Sequence, residues 1–129
     1  MSMTPPPRPD DSGRALTERE RDVLTFMVDR AVPFAGDPPI PDDTRRRLRE
    51  QIPATRAGAR CRCGTCPSIE LQDADGVTPS GGARIVLTAE GPGASLLLFI
   101  DDGRLSYLEL APHVDDVVAD FPPIEALTV

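Results

Sequence analysis

The tetrapeptide Asp101-Asp102-Gly103-Arg104 constrains this chain more than any other segment, because it sits between two apolar runs, Ser95 to Ile100 and Leu105 to Leu110. Asp-Gly is favoured at the centre of a two-residue type I′ turn, where both residues take positive φ, so the flanking runs should fold back on each other as an antiparallel hairpin. With Asp102 and Gly103 at the turn centre, Ile100 opposes Leu105, Leu98 opposes Tyr107 and Leu97 opposes Leu108. One face then carries Leu97, Phe99, Leu108 and Leu110, and the other Leu96, Leu98, Ile100, Leu105 and Tyr107. Both faces are apolar. Helices can cover one of them, and the other needs the C-terminal segment around Phe121, Ile124 and Leu127, the N-terminal arm, or another protein chain.

Upstream of the hairpin the pattern is helical. Thr17-Glu18-Arg19-Glu20 has the form of a capping box, in which the Thr17 hydroxyl accepts from the Glu20 amide and the Glu20 carboxylate reaches back to the Thr17 amide. Val23, Leu24, Met27, Val28 and Ala31 follow at helical spacing, and Pro33 ends the element. The stretch Leu16 to Leu24 resembles the first helix of the LuxR-type helix-turn-helix domain over nine residues, but Pro33-Phe34-Ala35-Gly36-Asp37-Pro38-Pro39 stands where a recognition helix would have to begin. A second helix runs from Pro41-Asp42-Asp43-Thr44 to about Gln51, with Leu48 and Ile52 as its apolar contact and Pro53 as its end. Arg45, Arg46, Arg47 and Arg49 crowd it, next to Asp42, Asp43 and Glu50, as a solvated helix face does.

After Ala54 the period becomes two. Ile69 and Leu71 alternate with Ser68, Glu70 and Gln72, and Arg84 to Glu90 is bounded by Gly81-Gly82 and Gly91-Pro92-Gly93. The expected fold is α+β, with two N-terminal helices packed on a four-stranded antiparallel meander sheet. Residues 1–14 read as a disordered, Pro-rich arm, and residues 15–129 as a single α+β domain.

Charge is distributed unevenly. Residues 1–66 carry twelve arginines against ten acids, while residues 67–129 carry two against eleven, which together give the net −7. An acidic C-terminal half argues against a nucleic-acid partner and fits a protein surface, or a second copy of the chain. The start of the chain has neither a basic nor an apolar signal region, and the longest apolar run, Leu96 to Ile100, is too short for a bilayer, so the expectation is a cytoplasmic protein without membrane partners.

The chain holds three cysteines, all within Cys61-Arg62-Cys63-Gly64-Thr65-Cys66. Cys63 and Cys66 have the spacing that lets two sulfurs take one edge of a tetrahedral metal site, with Cys61 as a third ligand and His113, the lone histidine, as a fourth. Zinc or monovalent copper would be the ion. Cys63-Gly64-Thr65-Cys66 also resembles the Cys-Gly-Pro-Cys of the thioredoxin family, which implies thiol-disulfide chemistry, although a strand rather than a helix follows here. The third reading is that the thiols are small hydrophobes at a turn, with no cofactor at all. Other catalytic sets are missing: His113 has no evident nucleophile beside it, the pairs Asp101-Asp102 and Asp115-Asp116 are explained by turns, and the glycine-rich turns lack the lysine of a phosphate loop.

Arg60 to Leu71, together with Asp102-Gly103-Arg104-Leu105-Ser106-Tyr107-Leu108-Glu109, is similar to a family of small uncharacterised actinobacterial proteins with a Cys/Gly-rich segment and a closing Asp-Gly-x-Leu-Ser-x-Leu-Glu strand. That resemblance implies no particular activity. The expected function is a non-enzymatic protein-binding domain, either self-associating or of the immunity or antitoxin class. The alternatives are a zinc- or copper-binding domain and a thiol redox protein.

Overall fold

The computed structural model describes residues 13–114 and 117–129. Most of the N-terminal arm and the Asp115-Asp116 pair lie outside these described residues. The strands are β1 (Arg14–Ala15), β2 (Val32–Pro33), β3 (Arg56–Arg60), β4 (Ile69–Gln72), β5 (Arg84–Gly91), β6 (Ala94–Asp101) and β7 (Arg104–Pro112), and the helices are α1 (Glu18–Arg30) and α2 (Asp42–Gln51). The strands form one antiparallel seven-stranded sheet in the order β1-β3-β4-β7-β6-β5-β2. Its two edge strands are only two residues long.

This corrects the expected α+β fold of two helices on a four-stranded meander. The molecule is mostly β, and β1, β2 and β3 are strands that periodicity does not reveal. β1 and β2 are too short to alternate, and β3 is Arg56-Ala57-Gly58-Ala59-Arg60, with no large apolar residue. Nor is the sheet a simple meander, because β4 pairs with β7 and not with its successor β5. Closure of that non-local pairing is invisible to any rule that reads neighbours in sequence.

The Thr17 capping box is formed: Glu20 N–H donates to Thr17 Oγ1 at 3.1 Å, and Thr17 N–H donates to Glu20 Oε1 at 2.8 Å. Arg14, from β1, adds a two-pronged ion pair to the same carboxylate at 2.7 and 2.8 Å. Burial alone would push the Glu20 carboxyl up, but Arg14 and the Thr17 donors outweigh it and hold the group below its ordinary value. Val23, Leu24, Met27, Val28 and Ala31 are fully buried, as the helical spacing requires. The arginines of α2 are partly structural. Arg45 donates to the carbonyls of Val28 and Ala31 at the C-terminal end of α1, and Arg49 pairs with Asp29. From the end of α2, the Gln51 side-chain amide donates to Gly103 O at 2.9 Å and accepts from Leu105 N–H at 3.1 Å, which fastens the helix layer to the hairpin turn.

That turn is as expected, with φ of 54° at Asp102 and 74° at Gly103. The register beyond it is not. Ile100 opposes Leu105, but the ladder then shifts, so that Phe99 opposes Tyr107, Leu98 opposes Leu108 and Leu96 opposes Leu110. Ser106 is the extra residue of this bulge. Its buried hydroxyl donates to Asp101 Oδ2 at 2.7 Å and lies 3.0 Å from Phe99 O, while Arg84 clamps the same carboxylate at 2.8 and 3.1 Å. The shift turns Leu108 and Leu110 to the side of Leu96, Leu98 and Ile100, all buried, and sends Leu97, Phe99 and Tyr107 to the other side, half-buried. The hairpin therefore has one dry face, under the helices.

The C-terminal segment packs on that same side. The Phe121 carbonyl accepts from Arg19 of α1 at 2.7 Å, Phe121 and Leu127 are buried, and Thr128 exchanges hydrogen bonds with Glu90. At the other edge of the sheet Gly13 N–H donates to Ala57 O. No helix among the described residues is long and apolar enough to cross a membrane.

Two outcomes test this account. A β-carbon added at Gly58 would stand 2.9 Å from Glu70 Cβ and 3.2 Å from Glu70 O across the β3–β4 pair, so Gly58→Ala is expected to destabilise by about 1–3 kcal/mol in urea unfolding. Glu20→Gln should cost about 1–2 kcal/mol at neutral pH. Because the folded-state value of Glu20 is depressed, the difference from the parent chain should be complete above the ordinary value of 4.5 and shrink as pH falls through the lowered value.

Candidate metal centre

The three thiols occupy the loop between β3 and β4. Cys61 N–H donates to Ser68 O at 2.9 Å and closes the loop at its base, and Val118 N–H donates to Thr65 O at 2.8 Å and ties its far side to the C-terminal segment. Gly64 turns the tip with a φ of 70°, which a residue without Cβ adopts freely. These constraints bring the sulfurs of Cys61, Cys63 and Cys66 within 4.8 Å of one another, with the Cys63 and Cys66 sulfurs 3.1 Å apart. All three are free thiols; Cys63 is exposed and the other two are half-buried.

The thiols are not equivalent. Hydrogen bonds from Thr65 first, and then from Cys66 and Cys61, pull the Cys63 thiol down from 9.0 to about 6, so Cys63 is largely thiolate at neutral pH. Burial pushes Cys66 up instead, with its sulfur 3.4 Å from the Ser68 hydroxyl. A low-pKa exposed sulfur next to a protonated one is set up either to bind a thiophilic ion or to be oxidised with its neighbour.

Two residues that support the loop carry no signal in the spacing. Ser68 reads as the outward residue of an alternating strand, yet its hydroxyl is buried and accepts from Leu110 N–H at 2.9 Å, extending the β4–β7 contact past its last backbone pair. Tyr107 reaches the outer face only because of the bulge. There its phenol sits beside Cys61, and burial, with Cys61 and Glu109 nearby, drives its pKa well above the ordinary range. Tyr107 also meets Phe99 edge to face at 6.0 Å, and Arg84 covers the Phe99 ring at 5.1 Å.

His113 is placed elsewhere. Its Nε2 lies 3.0 Å from Ser95 Oγ and 3.4 Å from Glu90 Oε1, at the β5–β6 turn end of the sheet, and it does not join the sulfur cluster. Serine, histidine and glutamate thus meet in space, which the sequence did not suggest. The carboxylate approaches the same nitrogen as the hydroxyl, however, whereas a catalytic triad needs it on Nδ1. Asp101, one of the turn carboxylates, is held by Arg84 first, and with Ser106 it is kept below its ordinary value. Among the described residues, the group of His, Cys, Asp and Glu side chains that converge closely enough for a metal ion is Cys61, Cys63 and Cys66.

The asymmetry of the pair is open to direct measurement. Iodoacetamide labelling followed by peptide mapping should show Cys63 reacting with a midpoint near pH 6, and Cys66 only above the ordinary thiol value of 9.0. Equal rates at pH 7 would contradict the arrangement. No protein-family model, curated protein or solved structure matches this chain.

Proposed function

We propose that this chain is a soft-ion-binding domain, in which the thiolates of Cys61, Cys63 and Cys66 hold zinc or monovalent copper. The observation that carries this reading is the convergence of three sulfurs within 4.8 Å on one short, doubly tied loop. Thiolates select these ions over oxygen-loving ones, and an exposed Cys63 gives the ion a way in. Binding displaces protons from the thiols, Cys66 above all, so affinity should fall as pH is lowered. His113 is not needed as a ligand in this reading; a fourth position on zinc would be filled from outside the cluster.

Elemental analysis of reduced, metal-supplemented protein should find about one equivalent of zinc or copper, lost in a Cys63→Ser variant. Less than about a tenth of an equivalent would overturn the proposal. If Cys63 and Cys66 instead form a disulfide reversibly in a glutathione buffer, the thiol-redox reading takes its place.

A second reading, a non-enzymatic domain that binds another protein or itself, draws on the outer face of the sheet. Val86, Leu97, Phe99 and Tyr107 are half-buried there, on the side of the sheet opposite Leu96, Leu98, Leu108 and Leu110. Light scattering across a concentration series tests self-association, and a strict monomer would remove that part.

A further inference from the structure

The coordination number that the thiol loop suits follows from its donor set. Cys61, Cys63 and Cys66 supply three sulfurs within 4.8 Å of one another, and among the described residues no His, Asp or Glu joins them. Ser68, beside the loop, accepts from Leu110 N–H, and the Tyr107 phenol is half-buried near Cys61. His113 is occupied with Ser95 and Glu90. The set is a tripod of thiols with an open fourth side. Zinc in such a site has to take a fourth ligand, such as water, from outside the cluster. Trivalent arsenic does not, since it forms three bonds to sulfur and fills the remaining direction with its own lone pair.

We infer that the loop captures trivalent arsenic, taken up as arsenous acid, as a three-coordinate complex of Cys61, Cys63 and Cys66; this rests on the soft-ion reading and specifies its ligand class. In each of three steps an arsenic–oxygen bond breaks and an arsenic–sulfur bond forms. Each departing hydroxyl leaves as water with one proton, supplied by the thiol itself or, where Cys63 has already lost its proton, by the solvent, so one arsenous acid and three thiols give one complex and three waters. Arsenic stays trivalent and sulfur is not oxidised, so no further reactant is needed. The product is uncharged and requires no counter-ion from the loop. Exposed Cys63 makes the first bond, and the half-buried Cys61 and Cys66 complete the set.

The test incubates reduced full-length protein with sodium arsenite and, in parallel, with zinc and with monovalent copper. Intact mass should rise by one arsenic less three hydrogens, and iodoacetamide should then label none of the three thiols. Serine substitution at any one of Cys61, Cys63 or Cys66 should weaken arsenite binding by roughly a hundredfold, as loss of a direct ligand exceeds loss of an outer-shell partner. Circular dichroism of each variant checks its fold, and the thiol count on the parent chain does not depend on any variant. One thiol left open to alkylation, or full binding by Cys61→Ser, would overturn the three-sulfur complex. If zinc or copper binds but arsenite does not, this inference falls and the soft-ion reading stands; if none binds, both fall.

Discussion

The bulge at Ser106 sets the sidedness of the whole sheet. A hairpin with continuous pairing from the Asp102-Gly103 turn would place Leu108 and Leu110 on the opposite side from Leu96, Leu98 and Ile100, and leave two apolar faces for one layer of helices to cover. One extra residue in β7 reverses the parity of everything beyond it, because side chains alternate with a period of two. The bulge is anchored on the buried Asp101 carboxylate, which is held by the buried Ser106 hydroxyl and by the exposed Arg84 guanidinium. The side-chain oxygens that the irregularity buries thereby find partners, in line with the lack of unsatisfied buried side-chain atoms among the described residues.

The thiol loop depends on the same event. With the parity reversed, Leu108 pairs with Ile69 in the core and Tyr107 projects outward toward Cys61. Ser68 then lies against Leu110, and its hydroxyl continues the junction of β4 and β7 at the base of the loop. The sulfurs are thus gathered by a tight turn whose base and far side are fixed by non-local contacts: β4 on β7, and Val118 on Thr65. Local sequence brings the cysteines close along the chain, and the sheet fixes the direction in which they point.

What could be read from the residues follows a physical division. The Thr17 box, the buried stripe of α1, the Leu48 and Ile52 contact of α2 and the positive-φ Asp-Gly turn are all decided by groups within about four residues of one another. Such interactions persist whatever the rest of the chain does. The strands β1, β2 and β3 lack that support. Arg56 to Arg60 becomes a strand because Gly58 allows the chain to lie close against Glu70, an arrangement set by the partner strand and not by the propensity of alanine and arginine. His113 shows the same limit, since the lone histidine seemed available to the cysteines only while its place at the far end of β7 was unknown.

By itself, then, the sequence determined two helices, the first of them capped by Thr17, one hairpin turn and a cluster of three thiols, because each rests on contacts between near neighbours whose geometry the backbone already dictates. Only the tertiary structure decided the seven-stranded order, the side on which Leu108 and Leu110 lie, and the exclusion of His113 from the sulfur cluster. The reason is parity and closure: a single inserted residue inverts a strand's faces, and pairing across long loops is chosen by the global burial of apolar surface, which no short window of residues contains.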